Sequence, residues 1–367
     1  MGEQEIKIIE PRNNFTLFGH ELAQGEICNA LTNGRLHHAW LFSGLKGVGK
    51  ATLAFRMARY MLRYCRPINF ATSLVDEQRD DPIENLEVGK DDQVFAEVSS
   101  GCHPQLLYIE KGFTEKGQPR AEITIDQIRK VAKFFQFTST HGDWRIVIID
   151  GAEEMNHNAE NALLKIIEEP PKFSLIILIS HSLGKLLQTT RSRCRILNLK
   201  PLASEHVGAL LRLCHPELPN YDLTRLTMLG DGSPGRAIQL ADGHGLELYN
   251  EIRDLFMSFP NFDDILLSNF INKFARKDTN NLFATAINLI CWWIENIIIT
   301  GARGSVPDYI PGEEAELLCR LAENGGATWL NYRDKMALIF EKVEDLHLDK
   351  EHVLLNFFSG LRHLTVT

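Results

Sequence analysis

Residues 44–52 read Gly-Leu-Lys-Gly-Val-Gly-Lys-Ala-Thr, a spacing that can hold phosphate. In the pattern G-x-x-x-x-G-K-[ST], glycines let backbone N–H groups close around phosphate oxygens. The lysine reaches the outer oxygens, and the last hydroxyl holds Mg²⁺. Gly44, Gly49 and Lys50 fill the fixed places, Gly47 adds a flexible position, and Ala51 stands where the hydroxyl belongs. The chemistry implied is phosphate binding with the metal-holding oxygen removed. Thr52 follows one residue late, and on a helix that turns its hydroxyl about 100° away. A glycine turn with no ligand is the alternative.

The surrounding pattern is what would position such a loop. Residues 38–42 are a short apolar run of the buried-strand kind, and 51–62 have Leu53, Met57, Tyr60 and Met61 at helical spacing. Strand, glycine turn and helix aim a helix N-terminus at the phosphates. A second apolar run, 145–150, ends in Asp150. Such an acid completes the Mg²⁺ shell in phosphate-loop proteins, or else caps the next helix. A helix over 159–169 is stopped by Pro170-Pro171, and a third strand spans 173–180. Strands alternating with helices predict an α/β fold with a parallel sheet.

The chain has 367 residues, with 39 Lys+Arg against 48 Asp+Glu, a net charge of −9 and a pI near 5.8. That length fits two or three domains. The acidity excludes a broad basic footprint for nucleic acid, so any DNA contact is expected to be local or made through partners. Cys28, Cys65, Cys102, Cys194, Cys214, Cys291 and Cys319 form no close-spaced pair, which points to free thiols in a reducing compartment. Residues 1–5 are acidic and polar and lack a signal-peptide core. The most apolar window, 286–300, is shorter than a bilayer-spanning helix and contains Asn288, Glu295 and Asn296. A cytoplasmic protein is the expectation.

Further motifs narrow the reading. Asn161-Ala162-Leu163-Leu164-Lys165, Glu168-Glu169-Pro170-Pro171 and Ser192-Arg193-Cys194, together with residues 36–42 and Ile125-Asp126-Gln127-Ile128-Arg129, resemble the signature of bacterial DNA polymerase III clamp-loader subunits, which are AAA+ proteins. The resemblance covers roughly residues 10–240. It implies an AAA+ P-loop domain at 1–200, a small helical lid domain at 201–245 and an all-α collar domain for oligomerisation at 246–367. The family contains gamma/tau motor subunits, which hydrolyse ATP, and a stator, which hydrolyses little or none. Motors are expected to keep a hydroxyl at the place of Ala51 and a water-activating glutamate at that of Gly151. Glu153 and Glu154 follow Gly151, but neither is obviously placed to act as base. Losing a metal oxygen and a general base together removes most of what phosphoryl transfer needs. The chain therefore looks like the stator. A motor subunit, and a free-standing P-loop ATPase or helicase, are the remaining readings.

By the same resemblance, Arg193 is an arginine finger delivered to the ATP of a neighbouring motor, a task suited to a planar, permanently charged guanidinium. Its bland reading is a surface arginine paired with a carboxylate. Ser192 reads as a local backbone hydrogen-bonder and Cys194 as a small buried residue. Arg236 is where the lid reaches back to nucleotide, or else an ordinary solvated arginine. The ligand implied is ATP, bound without efficient hydrolysis and with Mg²⁺ weak if present. The partners implied are the gamma/tau and delta subunits, the sliding clamp, and primed DNA through the complex; no membrane is implied. Trp292, Trp293, Phe357 and Phe358 read as helical core. Residues 66–100, with Asp76, Glu77, Asp80, Asp81, Asp91 and Asp92, read as an irregular solvated insertion. Many relatives carry a four-cysteine zinc module there. Cys65, Cys102 and His103 are too few for a closed tetrahedral site, so no zinc is expected. His37-His38 and Cys214-His215 read as loop or packing residues.

Overall fold

Strands β1 (Ala39–Ser43), β2 (Leu106–Ile109), β3 (Arg145–Asp150), β4 (Ser174–Ser180) and β5 (Arg195–Asn198) form a parallel sheet in the order β2-β3-β4-β1-β5. In this computed structural model the described residues are 10–65, 83–112, 120, 122–136, 144–275, 280–307, 310, 312–323, 325–345 and 348–365. The chain divides into one unit of Met1–Leu210 with Gly232–Gly235 and a second of Leu211–Asp231 with Arg236–Thr367.

The first unit carries the sheet and helices α1 (Glu21–Thr32), α2 (Lys50–Tyr64), α3 (Gln93–Ser99), α4 (Ile125–Gln136), α5 (His157–Glu168) and α6 (Gln188–Arg193). Every residue of β1 and β4 is buried, because helices cover both faces and each strand becomes an unbroken apolar run. On one face Trp40, Phe42, Ile148 and Ile177 pack with Ile27 and Leu31 of α1 and Leu53 and Met57 of α2. On the other, Leu41, Val147, Ile149 and Leu178 pack with Ile128 of α4 and Leu163 of α5. The register pairs Ser43 with Ser180 and Asp150 with Ile179. The ends of β1 and β3 thus flank the end of β4, about 10 Å apart.

Several expectations shift. The helix after the loop starts at Lys50, one residue early. The helix expected at 159–169 starts at His157, where the Asn156 side chain accepts from Ala159 N at 2.9 Å. The strand expected from 173 starts at Ser174, because Phe173 sits at φ 56. The insertion expected at 66–100 is not irregular throughout: α3 occupies its end, Leu86, Val88 and Val98 are buried, and Asp92 caps α3 and pairs with Arg63 at 2.6 Å. Residues 66–82, with four of the acids, lie outside the described residues.

Helix α7 is Ser204–Cys214. The second unit holds α8 (Asn220–Gly230), α9 (Pro234–Asp242) from Arg236 onward, α10 (Gly245–Met257), α11 (Asp264–Asn272), α12 (Asn280–Arg303), α13 (Gly312–Ala322), α14 (Gly326–Asp345) and α15 (Lys350–Arg362). Trp293, Phe357 and Phe358 are fully buried and Trp292 nearly so, as their apolar bulk dictates. The window 286–300 belongs to a 24-residue helix, α12. By length and composition that helix reaches what a membrane crossing needs, which corrects the reading of the window as too short. Half of its most apolar stretch is buried, and it packs against α10, α13 and α14. Arg225 and Glu314 form a 2.6 Å ion pair, both buried.

Candidate nucleotide-binding site

The loop after β1 is held at nearly every carbonyl. Lys50, 3% exposed, donates its ammonium to Gly44 O at 2.7 Å and Leu45 O at 2.6 Å. Ser233 Oγ donates to Lys46 O at 2.7 Å, Gly235 N to Gly47 O at 3.0 Å, and His20 Nε2 lies 2.8 Å from Val48 O. All carbonyls from Gly44 to Val48 therefore have partners. Gly44 has φ 145, and a Cβ there would meet Leu199 O at 2.4 Å, so the close approach requires glycine. Gly49 heads α2 in the left-handed region at φ 110 with no side-chain cap. The first-turn amides of α2 consequently lack intrahelical partners and lie at the positive end of the helix dipole. Burial brings the Lys50 ammonium down to about 8, against the pull of Asp150 and Glu153. These donors fit a phosphate.

The groups that would turn binding into hydrolysis are less complete. Ala51 is half-buried and offers no oxygen; Thr52 is buried within α2. The Asp150 carboxylate receives the Tyr108 hydroxyl at 3.1 Å, and the same hydroxyl lies 3.2 Å from Glu110. Asp150 does not cap the next helical turn. The N-cap of that 3-10 turn, Ala152–Glu154, is Gly151, with no side-chain bond. Gly151 itself sits at φ 74, and a Cβ there would stand 2.9 Å from Glu154 Oε2. A glutamate at that position would be strained in this backbone.

Glu153 binds His181, at the end of β4, through the ring Nδ1 at 2.8 Å and the backbone N at 2.9 Å. Burial alone would raise its carboxyl, but the hydrogen bonds from His181 win and hold it at about 2. So acidic a group is a weak proton acceptor. Sequence reasoning missed His181, and its position directly after an apolar strand was the available signal.

Arg193, the last residue of α6, pairs through Nε with Glu168 at 2.9 Å, and its Nη1 donates to Thr189 O at 3.2 Å. Ser192 Oγ donates to Thr189 O at 3.0 Å, the local bond expected of it. Cys194 is packed against the core, and burial pushes its thiol to about 12. Arg236 lies in the first turn of α9, in the second unit. Cys65 is buried, Cys102 is exposed, and His103 faces Glu97 at 3.6 Å. Among the described residues no three His, Cys, Asp or Glu side chains gather where they could hold a metal.

A family model described as DNA polymerase III, delta subunit, matches residues 19–203. That is half of the chain, and it holds the loop, Asp150 and Arg193. The chain belongs to this clamp-loader family. The clamp-loader chain is similar to the delta' subunit of DNA polymerase III from Pseudomonas aeruginosa, 34% identical over 205 residues, 55% of each chain. It is also similar to the gamma subunit from Buchnera aphidicola (strain Bp), 28% identical over 232 residues, 61% of this chain and 54% of that one. It spans about half the length of these curated relatives. Among solved structures it is similar to a DNA polymerase III gamma subunit-related protein from Thermotoga maritima, 16% identical, covering 94% of this chain and 99% of that one with a TM-score of 0.40. Family membership, the parallel sheet and the glycine loop together give the expected fold class: an AAA+ P-loop unit followed by a mostly helical region.

Proposed function

We propose that this clamp-loader chain is the stator, or delta-prime, subunit of the DNA polymerase III clamp loader. It helps load the sliding clamp onto primed DNA in chromosomal replication and supplies Arg193 as an arginine finger to a neighbouring gamma/tau subunit. The observation that carries the reading is the contrast at the site: a braced phosphate cradle beside Ala51, a left-handed Gly151 and a Glu153 carboxyl held at about 2. Phosphoryl transfer rests on positioning and charge stabilisation. This site keeps the first and lacks the metal oxygen and the base.

In this reading Gly44, Gly47, Gly49, Lys50, Ala51, Thr52 and Asp150 line a site where ATP binds without efficient hydrolysis and Mg²⁺ is weak. Arg236 approaches that nucleotide from a lid at 201–245, and 246–367 form the collar. Gamma/tau and delta subunits, the clamp, and primed DNA held by the complex are the partners, in the cytoplasm. The isolated chain is expected to turn over ATP at background, with Lys50→Ala weakening nucleotide binding. Likeness to gamma subunits favours a second reading, the motor. Turnover near 1 s⁻¹ that vanishes in Lys50→Ala would establish the motor and exclude the stator.

A further inference from the structure

A carboxylate on the apolar stripe of α5 has no place in the nucleotide site. Ala159, Leu163 and Ile167 of that helix are buried, and Glu160, one and two helical turns before Leu163 and Ile167, is only 5% exposed. A buried carboxylate is costly unless hydrogen bonds replace its water. Glu160 Oε1 accepts two: Leu187 N at 2.8 Å and Thr190 Oγ1 at 2.9 Å. Both partners belong to the start of α6, whose N-cap is Leu187 and has no side-chain cap of its own. A six-residue helix is marginal alone. Glu160 supplies from α5 an acceptor for the N-cap amide and for the Thr190 hydroxyl, together with the negative charge that a helix N-terminus favours.

The other end of α6 is Arg193, paired with Glu168 at the end of α5. Glu160 and Glu168 stand about 12 Å apart along α5, and α6 is about 9 Å long, so one helix grips both ends of the other. The two grips differ in kind. Glu160 and Thr190 are buried, whereas the side chains of Arg193 and Glu168 are 42% and 48% exposed. Nη2 of Arg193 makes no hydrogen bond among the described residues. An exposed ion pair is weak in water, so a polyphosphate can displace Glu168 while the buried grip keeps α6 in place.

We propose that Glu160 is a positioning residue for Arg193: it fixes the start of α6 and thereby aims the guanidinium at the phosphates of a neighbouring subunit. The inference rests on the reading of Arg193 as a trans-acting finger. It is tested in a complex reassembled with gamma/tau and delta subunits by single-turnover ATP hydrolysis at varied ATP, alongside the melting temperature of each variant. Glu160→Ala is expected to lower kcat by up to about 10²-fold, since misplacing a reacting group by an ångström can cost that much, with KM for ATP unchanged. Glu160→Gln keeps an acceptor oxygen and is expected to restore most of the rate. Thr190→Val, nearly isosteric, is expected to give a smaller loss of the same kind and decides the matter if Glu160→Ala fails to fold. Neither loss should add to that of Arg193→Ala. Wild-type kcat in Glu160→Ala or Thr190→Val, or a loss that adds to Arg193→Ala, would overturn the positioning role while leaving the finger intact. An Arg193→Ala complex that hydrolyses ATP normally would instead remove the finger reading itself.

Discussion

From Gly44 to Val48 each loop carbonyl has a hydrogen-bond partner, and Lys50 is 3% exposed; at the end of α6 the Arg193 side chain is 42% exposed and rests on one carboxylate. The loop is over-determined from within its own unit, by Lys50, His20 and the Gly232–Gly235 segment. Such bracing suits a group that binds in place, since a preorganised donor set needs no rearrangement to receive an anion. An arginine that serves another molecule needs the opposite: exposure, a firm base beneath it, and a resting partner that is easily displaced. The two regions thus differ in where their polar groups find partners, and on the proposed reading that difference, more than the loss of a hydroxyl at Ala51 alone, would separate a site used within the chain from one offered outward.

The largest effect expected from breaking this contrast is at the outward site. Arg193→Ala should slow hydrolysis at the neighbouring ATP by about 10³, while the melting temperature of the chain stays nearly constant because an exposed pair contributes at most about 1 kcal/mol. Single-turnover kinetics and thermal melts on the same preparation check both halves.

A smaller effect is expected at the loop's acidic neighbour. Gly151→Glu puts a side chain on a left-handed backbone and should destabilise the first unit by about 1–3 kcal/mol without creating ATP turnover, alone or with Ala51→Thr. Denaturant unfolding and a steady-state ATPase assay measure the two. A stable variant with strong turnover would show that a single missing carboxylate, rather than the local backbone, keeps this site from catalysis.

How much of this was legible in the sequence depends on the range of the contacts involved. The apolar runs at β1, β3 and β4 announce themselves because both faces of the sheet are covered. β2 and β5 are four-residue edge strands with partly exposed side chains, and they carry no such signal. The loop was readable from glycine spacing within nine residues. Its bracing by Ser233, 187 residues away, comes from chain topology that no local pattern encodes. Glu160 was half-legible: a charge at the spacing of Leu163 and Ile167 interrupts an apolar stripe, which asks for a buried partner, but the partner on α6 appears only in the fold. The acidic stretch before α3 misled, because Asp92 carries the same charge whether it solvates a loop or caps a helix.

The smallest expected effect is a pH dependence. The Glu153 carboxyl is at about 2 in the folded chain against an ordinary 4.5, so between those values the unfolded state binds the extra proton. Its contribution to stability is complete above about pH 4.5 and is lost as the pH falls towards 2. Glu153→Gln should remove about 1 kcal/mol at neutral pH and flatten the acid limb of the stability curve. An unchanged acid limb would mean that the bonds to His181 do not hold the carboxylate ionised.

The contrast between the two regions is tested most directly by placing Lys50→Ala and Arg193→Ala side by side in the assembled complex and measuring ATP hydrolysis and clamp loading. On the stator reading, Lys50→Ala is expected to stay within about twofold of wild type, because that reading gives this chain's own loop no hydrolysis, while Arg193→Ala is expected to lose hydrolysis at the neighbouring site. The reverse pattern, with Lys50→Ala inactive and Arg193→Ala unaffected, would make this chain a motor and contradict the stator reading.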